Sequence, residues 1–205
     1  MFTDNKTLMQ MARESLRGQW GLAIGTFLLY SLIMGSSGAM RELGIITLIV
    51  GGPIELGVAI FSLSIARKEN ARIEQLFEGF NNFATALITY LLIMLYVIIG
   101  LIILIVPGII AALQYSMSFY ILADQPELKA QEVMQQSKDM MEGHKMKLFY
   151  LGLRFLLMGL LCILTLGIGF LWLVPYFHVT MAKFYEDVAG IETSDQQMYQ
   201  ENEIV

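Results

Sequence analysis

Charged residues and cysteine are scarce in this sequence, and each shortage excludes a class of protein. Charged side chains make up 15% of the chain, whereas soluble domains carry about 25%. The single cysteine, Cys162, excludes an intramolecular disulfide and a multi-cysteine zinc site. No basic face is visible, so we expect no nucleic-acid partner.

Apolar sequence is abundant instead. Hydrophobic residues make up 56% of the chain, and long apolar tracts alternate with compact charged segments. This alternation is typical of membrane proteins. The sequence therefore predicts an all-α, polytopic membrane protein whose first partner is the lipid bilayer.

The longest uncharged run extends from Ala84 to Ala123 and contains no Asp, Glu, Lys, Arg or His. About 20 helical residues cross a bilayer core, so this run is long enough for two spans. Proline disfavours helix at the residue before it, and glycine lets the backbone turn. Pro107 and Gly108 therefore predict the tight outer turn of a helical hairpin. The alternative is one long kinked helix.

Three further apolar runs bring the expected number of spans to six, arranged as three hairpins. Residues 20–36 and 43–66 supply one span each, and residues 148–182 supply two. Lys and Arg concentrate in the N-terminal segment and in the connections after spans two and four, which predicts cytoplasmic termini in a plasma membrane. We expect a single membrane domain over residues 1–190 and a disordered acidic tail over residues 191–205.

An amphipathic segment precedes each hairpin and ends in a glycine, namely Gly18, Gly79 and Gly143. We interpret each as a cytoplasmic interfacial helix whose apolar stripe lies in the headgroup boundary, followed by a glycine break. This pattern predicts three repeats of one unit, although short amphipathic linkers can also resemble one another by chance. The possible repeats are residues 1–67, 68–124 and 125–187.

Polar residues inside the apolar runs are the candidate site residues. A charge at bilayer depth costs at least ~2.5 kcal/mol on insertion scales, so it needs a partner or a purpose. Glu55 and Arg154 can offset this cost by pairing with each other, or Glu55 can serve a substrate or proton site where Pro53 breaks the second span. Gln114 and His178 are further candidates, although a lone histidine in a span is more often a packing residue.

Catalytic and metal-binding motifs are missing from the sequence. It contains no HExxH, GxSxG, GxxxxGK[ST] or CxxC. Its apolar tracts contain no paired carboxylates. We therefore expect no enzymatic activity, no metal and no cofactor.

Several strings together resemble a bacterial integral-membrane family labelled domain of unknown function 975. They are ARESLRGQWGLAIG, LFEGFNNF, IVPGIIAALQYSMSFYILAD, SKDMMEGHKMKLF and LTLGIGFLWLVPYF. The resemblance implies a polytopic plasma-membrane protein. It implies no activity, because the family is itself uncharacterised.

The sequence is compatible with three hypotheses of function. The leading one is a non-enzymatic accessory, scaffold or assembly component that contacts another membrane protein or a second copy of itself. The alternative is a small-molecule or lipid transporter with a site near Glu55. A pore formed by oligomerisation is a third hypothesis.

Overall fold

The described part of the chain contains helices and no strands, which confirms the predicted all-α fold class. The computed structural model describes residues 3–35 and 44–191. The turn expected after the first span and nearly all of the expected acidic tail lie outside these residues. The helices are α1 (Asn5–Ser15), α2 (Trp20–Gly35), α3 (Gly44–Ala66), α4 (Gln75–Glu78), α5 (Phe83–Ile103), α6 (Ile105–Gln114), α7 (Ser118–Asp124), α8 (Ala130–Met140), α9 (Lys145–Leu164) and α10 (Phe170–Ala189).

Four helical stretches within the described residues are long and apolar enough to cross a membrane. They are Leu48–Ala66, Gln75–Ile103, Ile105–Asp124 and Lys145–Leu164. The helices α1 and α2 form a fifth only if they are taken together, and they are bent by 100° where they meet. Helix α10 is long enough, but it carries Lys183, Glu186 and Asp187. Several apolar helices of membrane-spanning length are thus present, whereas the six-span topology stays a prediction.

The hairpin in the long uncharged run turns at Leu104, not at Pro107 and Gly108 as the sequence predicted. Leu104 is extended, with φ −162° and ψ 152°, and α6 begins at the next residue. Pro107 lies in the first turn of α6, where backbone N–H groups have no partner within the helix. Proline, which lacks an N–H, therefore breaks no helical hydrogen bond there. A Cβ on Gly100 would lie 2.8 Å from the Cα of Gly108. The glycines therefore let α5 and α6 pack closely, and this approach excludes one long helix.

The apolar stripes of α1 and α8 are buried by the protein itself. Leu8 and Leu16 of α1 are fully buried, and α1 packs against α10. Val133 and Ser137 of α8 are fully buried too, and the Ser137 hydroxyl donates to the backbone carbonyl of Gln114 at 2.9 Å. The expectation that these stripes lie in the headgroup boundary is wrong for these residues, because neighbouring helices cover them.

Two of the three repeat glycines turn the chain, and the third has a different role. Gly18 and Gly143 adopt φ values of +87° and +80° in the turns before α2 and α9, a conformation that favours glycine. Gly79 has φ −60° and begins the 3₁₀ segment Gly79–Asn82. A Cβ there would collide with the Pro53 carbonyl oxygen of α3. Gly79 is therefore needed for close packing and not for a break.

Helix α3 is the central element of the fold. It contacts α4, α5, α7 and α10, and 72% of its apolar stretch is buried. Among its side chains, Ile54, Phe61 and Ile65 are almost completely buried. A polar group on α3 is consequently held inside the protein by helices on several sides.

Candidate functional site

Glu55 lies within α3, and its carboxylate is held by one tyrosine. The Tyr30 hydroxyl on α2 donates to Oε1 of Glu55 at 2.7 Å. The helix continues from Gly44 to Ala66 with Pro53 inside it, so the predicted break around Glu55 is absent. Glu55 therefore sits on a rigid helix and not in an unwound segment.

The glycines beside Glu55 let neighbouring helices approach α3. A Cβ on Gly52 would lie 2.5 Å from the Ala86 carbonyl oxygen of α5, and one on Gly51 would lie 3.0 Å from the Tyr90 ring. A Cβ on Gly57 would collide with the backbone at Leu76. These glycines pack α3 closely against α4 and α5, which fixes the position of Glu55.

His178 on α10 meets Glu55 at a shared cavity. The imidazole stacks on Phe27 of α2 with ring centroids 4.9 Å apart. The Tyr120 hydroxyl of α7 donates to the backbone carbonyl of His178 at 3.3 Å. The cavity measures about 140 Å³ and is lined by Glu55, Val58, Ala59, Ser116, Phe119, Tyr120, Phe177, His178 and Met181. Glu55 and His178, two of the four polar residues predicted from the sequence, thus line the same cavity.

The other two nominated residues lie elsewhere. The Gln114 side-chain carbonyl is 3.5 Å from the Lys145 ammonium at the start of α9, and its backbone carbonyl accepts from α8. Arg154 is exposed on α9. The proposed pairing of Glu55 with Arg154 is therefore wrong, because the hydrogen-bond partner of Glu55 is Tyr30.

An ionic network joins the C-terminal ends of α3, α7 and α10. The Arg67 guanidinium, one residue beyond α3, donates to both carboxylate oxygens of Asp124 at 2.8 and 2.7 Å. Its Nε donates to Glu186 at 3.2 Å. Hydrogen bonding to Asp124 raises the pKa of Arg67 above its usual range, so the guanidinium stays charged. This geometry holds three helices together at one end of the molecule.

Further polar groups extend the network to the chain's N-terminal segment and to α9. Lys183, fully buried, lies 3.2 Å from the equally buried Glu186. Asp187 accepts from the Lys147 ammonium at 2.5 Å and from the Thr3 backbone amide at 2.8 Å. The acidic residues at the end of α10 therefore belong to a packed network.

Sequence reasoning missed this network, although a weak signal was present. Arg67 and Lys183 are among the Lys and Arg residues that predict the topology, and no sequence motif pairs them with Asp124 or Glu186. Arg67, Asp124 and Lys183 each directly follow an alanine that closes an apolar run. The residue that directly follows each of these three apolar runs is charged, and the charges are of opposite sign. This pattern indicates that the ends of the three helices lie close together.

The described residues contain no set of side chains that could hold a metal ion. Within residues 3–35 and 44–191, no group of three or more His, Cys, Asp or Glu side chains is arranged to hold a metal ion. The chemistry available at the Glu55 cavity is that of a single carboxyl group among aromatic and small or aliphatic side chains.

Comparison with known proteins relates the chain to a protein family. A family model described as "Protein of unknown function (DUF975)" matches residues 1–104 and again residues 94–192. The family pattern thus occurs in two overlapping segments, and the threefold division stays a prediction. No curated protein and no solved structure matches the chain.

Proposed function

This chain belongs to the DUF975 family, whose function is unknown, and we propose that it is a non-enzymatic integral protein of the bacterial plasma membrane. In this proposal it acts as an accessory, scaffold or assembly component. The exposed apolar surface of α5 and α9 carries the proposal. Helix α5 lies in the apolar stretch Gln75–Ile103, and α9 is the apolar stretch Lys145–Leu164. Each stretch is only 17% buried inside the protein. Such surfaces suit contact with lipid and with the helices of another membrane protein.

The contacts between connecting segments support cytoplasmic placement of both termini. The Ser15 hydroxyl donates to the Ala66 carbonyl at 3.3 Å, and the Asn82 side chain donates to the Pro126 carbonyl at 2.6 Å. With the Asp187 contacts, these bonds gather the Lys- and Arg-bearing connections at one end. A shared cytoplasmic end agrees with the preference of Lys and Arg for that side.

Site-specific photo-crosslinking in native membranes tests the scaffold proposal. A photoreactive residue replaces Leu157 of α9, which is 56% exposed, or Leu95 of α5, which is 52% exposed, and the fully buried Leu151 serves as the control. We expect a discrete cross-linked protein from at least one exposed position and none from Leu151. Mass spectrometry of that product identifies another protein or a second copy of this chain. Lipid adducts alone at both exposed positions would refute the proposal.

Transport of a small molecule is the second candidate function, and the cavity at Glu55 favours it. Its volume of about 140 Å³ is below the roughly 300–1,000 Å³ of ordinary small-molecule pockets, so the solute would be small and not a lipid. Proteoliposomes containing the protein, Glu55→Gln or the exposed control Glu127→Gln test this function with radiolabelled methylammonium. We expect uptake that only Glu55→Gln abolishes. Equal uptake by empty liposomes would argue against transport of this probe.

A further inference from the structure

We propose that the Glu55 cavity binds a small organic ammonium cation. This inference goes beyond a scaffold role and does not depend on it, because a bound cation need not be transported. Three features of the cavity carry the proposal: a carboxyl group with no cationic partner among the described residues, aromatic side chains in the wall, and the size of the space.

The carboxylate of Glu55 has no cationic partner among the described residues. Its one hydrogen bond comes from the neutral Tyr30 hydroxyl. The network cations Arg67 and Lys183 pair with Asp124 and Glu186 at the helix ends. A carboxylate at membrane depth is costly unless an opposite charge accompanies it. A ligand cation would supply that charge.

Aromatic rings form much of the wall around this carboxylate. Phe119 and Tyr120 of α7 and Phe177 and His178 of α10 line the same cavity as Glu55. A ring face attracts a cation within about 6 Å of its centroid, and such rings are a common means of recognising organic ammonium groups. The combination of one carboxylate with several rings therefore indicates an organic ammonium ligand.

The oxygen atoms of the cavity argue against a bare metal ion. The Ser116 hydroxyl donates to the Leu113 carbonyl at 2.8 Å, and the Tyr120 hydroxyl donates to the His178 carbonyl. Ions such as Ca²⁺ take six or more oxygen ligands, and this cavity offers far fewer. Its lining is therefore better suited to a cation that carries its own apolar substituents.

The volume limits the size of the ligand. The cavity holds about 140 Å³, and an engineered apolar cavity of about 150 Å³ accepts benzene. Tetramethylammonium has fewer heavy atoms than benzene and has a single positive charge. It is therefore a suitable probe, and uncharged tert-butanol is the matched neutral control.

Binding is measured on the purified full-length protein in lipid nanodiscs. Isothermal calorimetry and thermal unfolding are recorded with tetramethylammonium chloride, with tert-butanol, and with sodium chloride at equal ionic strength. We expect saturable heat and a rise in unfolding temperature with tetramethylammonium only. Glu55→Gln should weaken binding at least about tenfold, because it removes the charge while keeping the shape. The exposed control Glu127→Gln should bind as the unaltered protein does.

A second variant keeps the test decisive if Glu55→Gln fails to fold. Ala59→Leu adds volume at a residue that lines the cavity and leaves the carboxylate in place, so it should abolish binding by occupying the ligand's space. No tetramethylammonium binding by the unaltered protein would overturn the proposal. Equal binding of tetramethylammonium by Ala59→Leu, or equal stabilisation by tert-butanol, would also overturn it.

Discussion

Replacing Arg67 with methionine tests whether the ionic network stabilises the fold. This substitution keeps an unbranched side chain and removes the guanidinium. It deletes two hydrogen bonds to Asp124 and one to Glu186. Glu186 keeps its contact with Lys183, so one acidic partner is not left without a cation.

The expected loss lies between the values known for exposed and for buried ion pairs. Exposed pairs contribute about 0–1 kcal/mol, and removing one partner of a buried pair costs about 3–5 kcal/mol. The side chains of Arg67 and Asp124 are 26% and 21% exposed, whereas Glu186 is fully buried. We therefore expect Arg67→Met to lower the free energy of unfolding by about 3 kcal/mol. In a double-mutant cycle with Asp124→Asn, about 2 kcal/mol of this should be coupling energy.

Equilibrium unfolding by SDS in mixed detergent micelles, followed by circular dichroism, measures these values. Arg72 provides a matched control, because its ion pair with Glu78 is longer, at 3.5 Å, and its side chains are 58% and 38% exposed. Arg72→Met should cost less than about 1 kcal/mol. The pKa of Arg67 is raised, so its contribution is present at every pH below the unfolded-state value and should stay constant between about pH 7 and 9. An effect of Arg67→Met no larger than that of Arg72→Met would refute the reasoning.

Three further predictions concern close packing, backbone conformation and topology. Gly79→Ala should lower the free energy of unfolding by at least about 2 kcal/mol, because its Cβ would collide with the backbone of α3. Gly152→Ala is the control, because its Cβ would meet nothing within 4 Å. It should be neutral or stabilising in the same SDS assay. Gly143→Ala should cost about 1–2 kcal/mol, because alanine disfavours φ +80°; an unchanged unfolding curve would contradict this strain argument. In a variant without the native cysteine, a membrane-impermeant maleimide added to intact cells should label Leu166→Cys, where the native side chain is 95% exposed, and should not label Glu127→Cys; the opposite pattern would reverse the proposed orientation.

The hairpin shows how far the sequence alone predicts this fold. The length of the uncharged run and its central Pro-Gly pair predicted that the chain doubles back. The turn lies at Leu104 because Pro107 is compatible with the first turn of a helix. A proline therefore indicates that a helix boundary is near, without specifying on which side of it the turn lies.

The amphipathic segments show a second limit of sequence reasoning. A period of 3.6 residues predicts that one face of α1 is covered, and Leu8 and Leu16 are indeed buried. The pattern cannot distinguish a covering helix from a lipid surface, because both are apolar. The partner of that face, α10, is defined only by the three-dimensional arrangement.

For the candidate site, the sequence predicts which residues are of interest but not which of them come into contact. Glu55 and His178 stood out because polar groups are rare in their surroundings, and they share one cavity. Arg154 stood out for the same reason, yet it is exposed on another helix. Rarity thus selects residues of interest, but it does not determine which of them meet. The Arg67 network was missed because its members are far apart in sequence and lie at helix ends, where charges are common.

The cavity and the ionic network are built on the same three helices. Glu55 of α3 precedes Arg67, the residue after the end of α3, by about three helical turns, or roughly 18 Å. Tyr120 of α7 and His178 of α10 line the cavity, and the same two helices lead to Asp124 and Glu186. Ionic contacts at the ends of three helices restrict their sliding and rotation, because bidentate guanidinium–carboxylate bonds require a defined geometry. The network at the helix ends therefore restrains the same three helices that carry most of the lining of the Glu55 cavity.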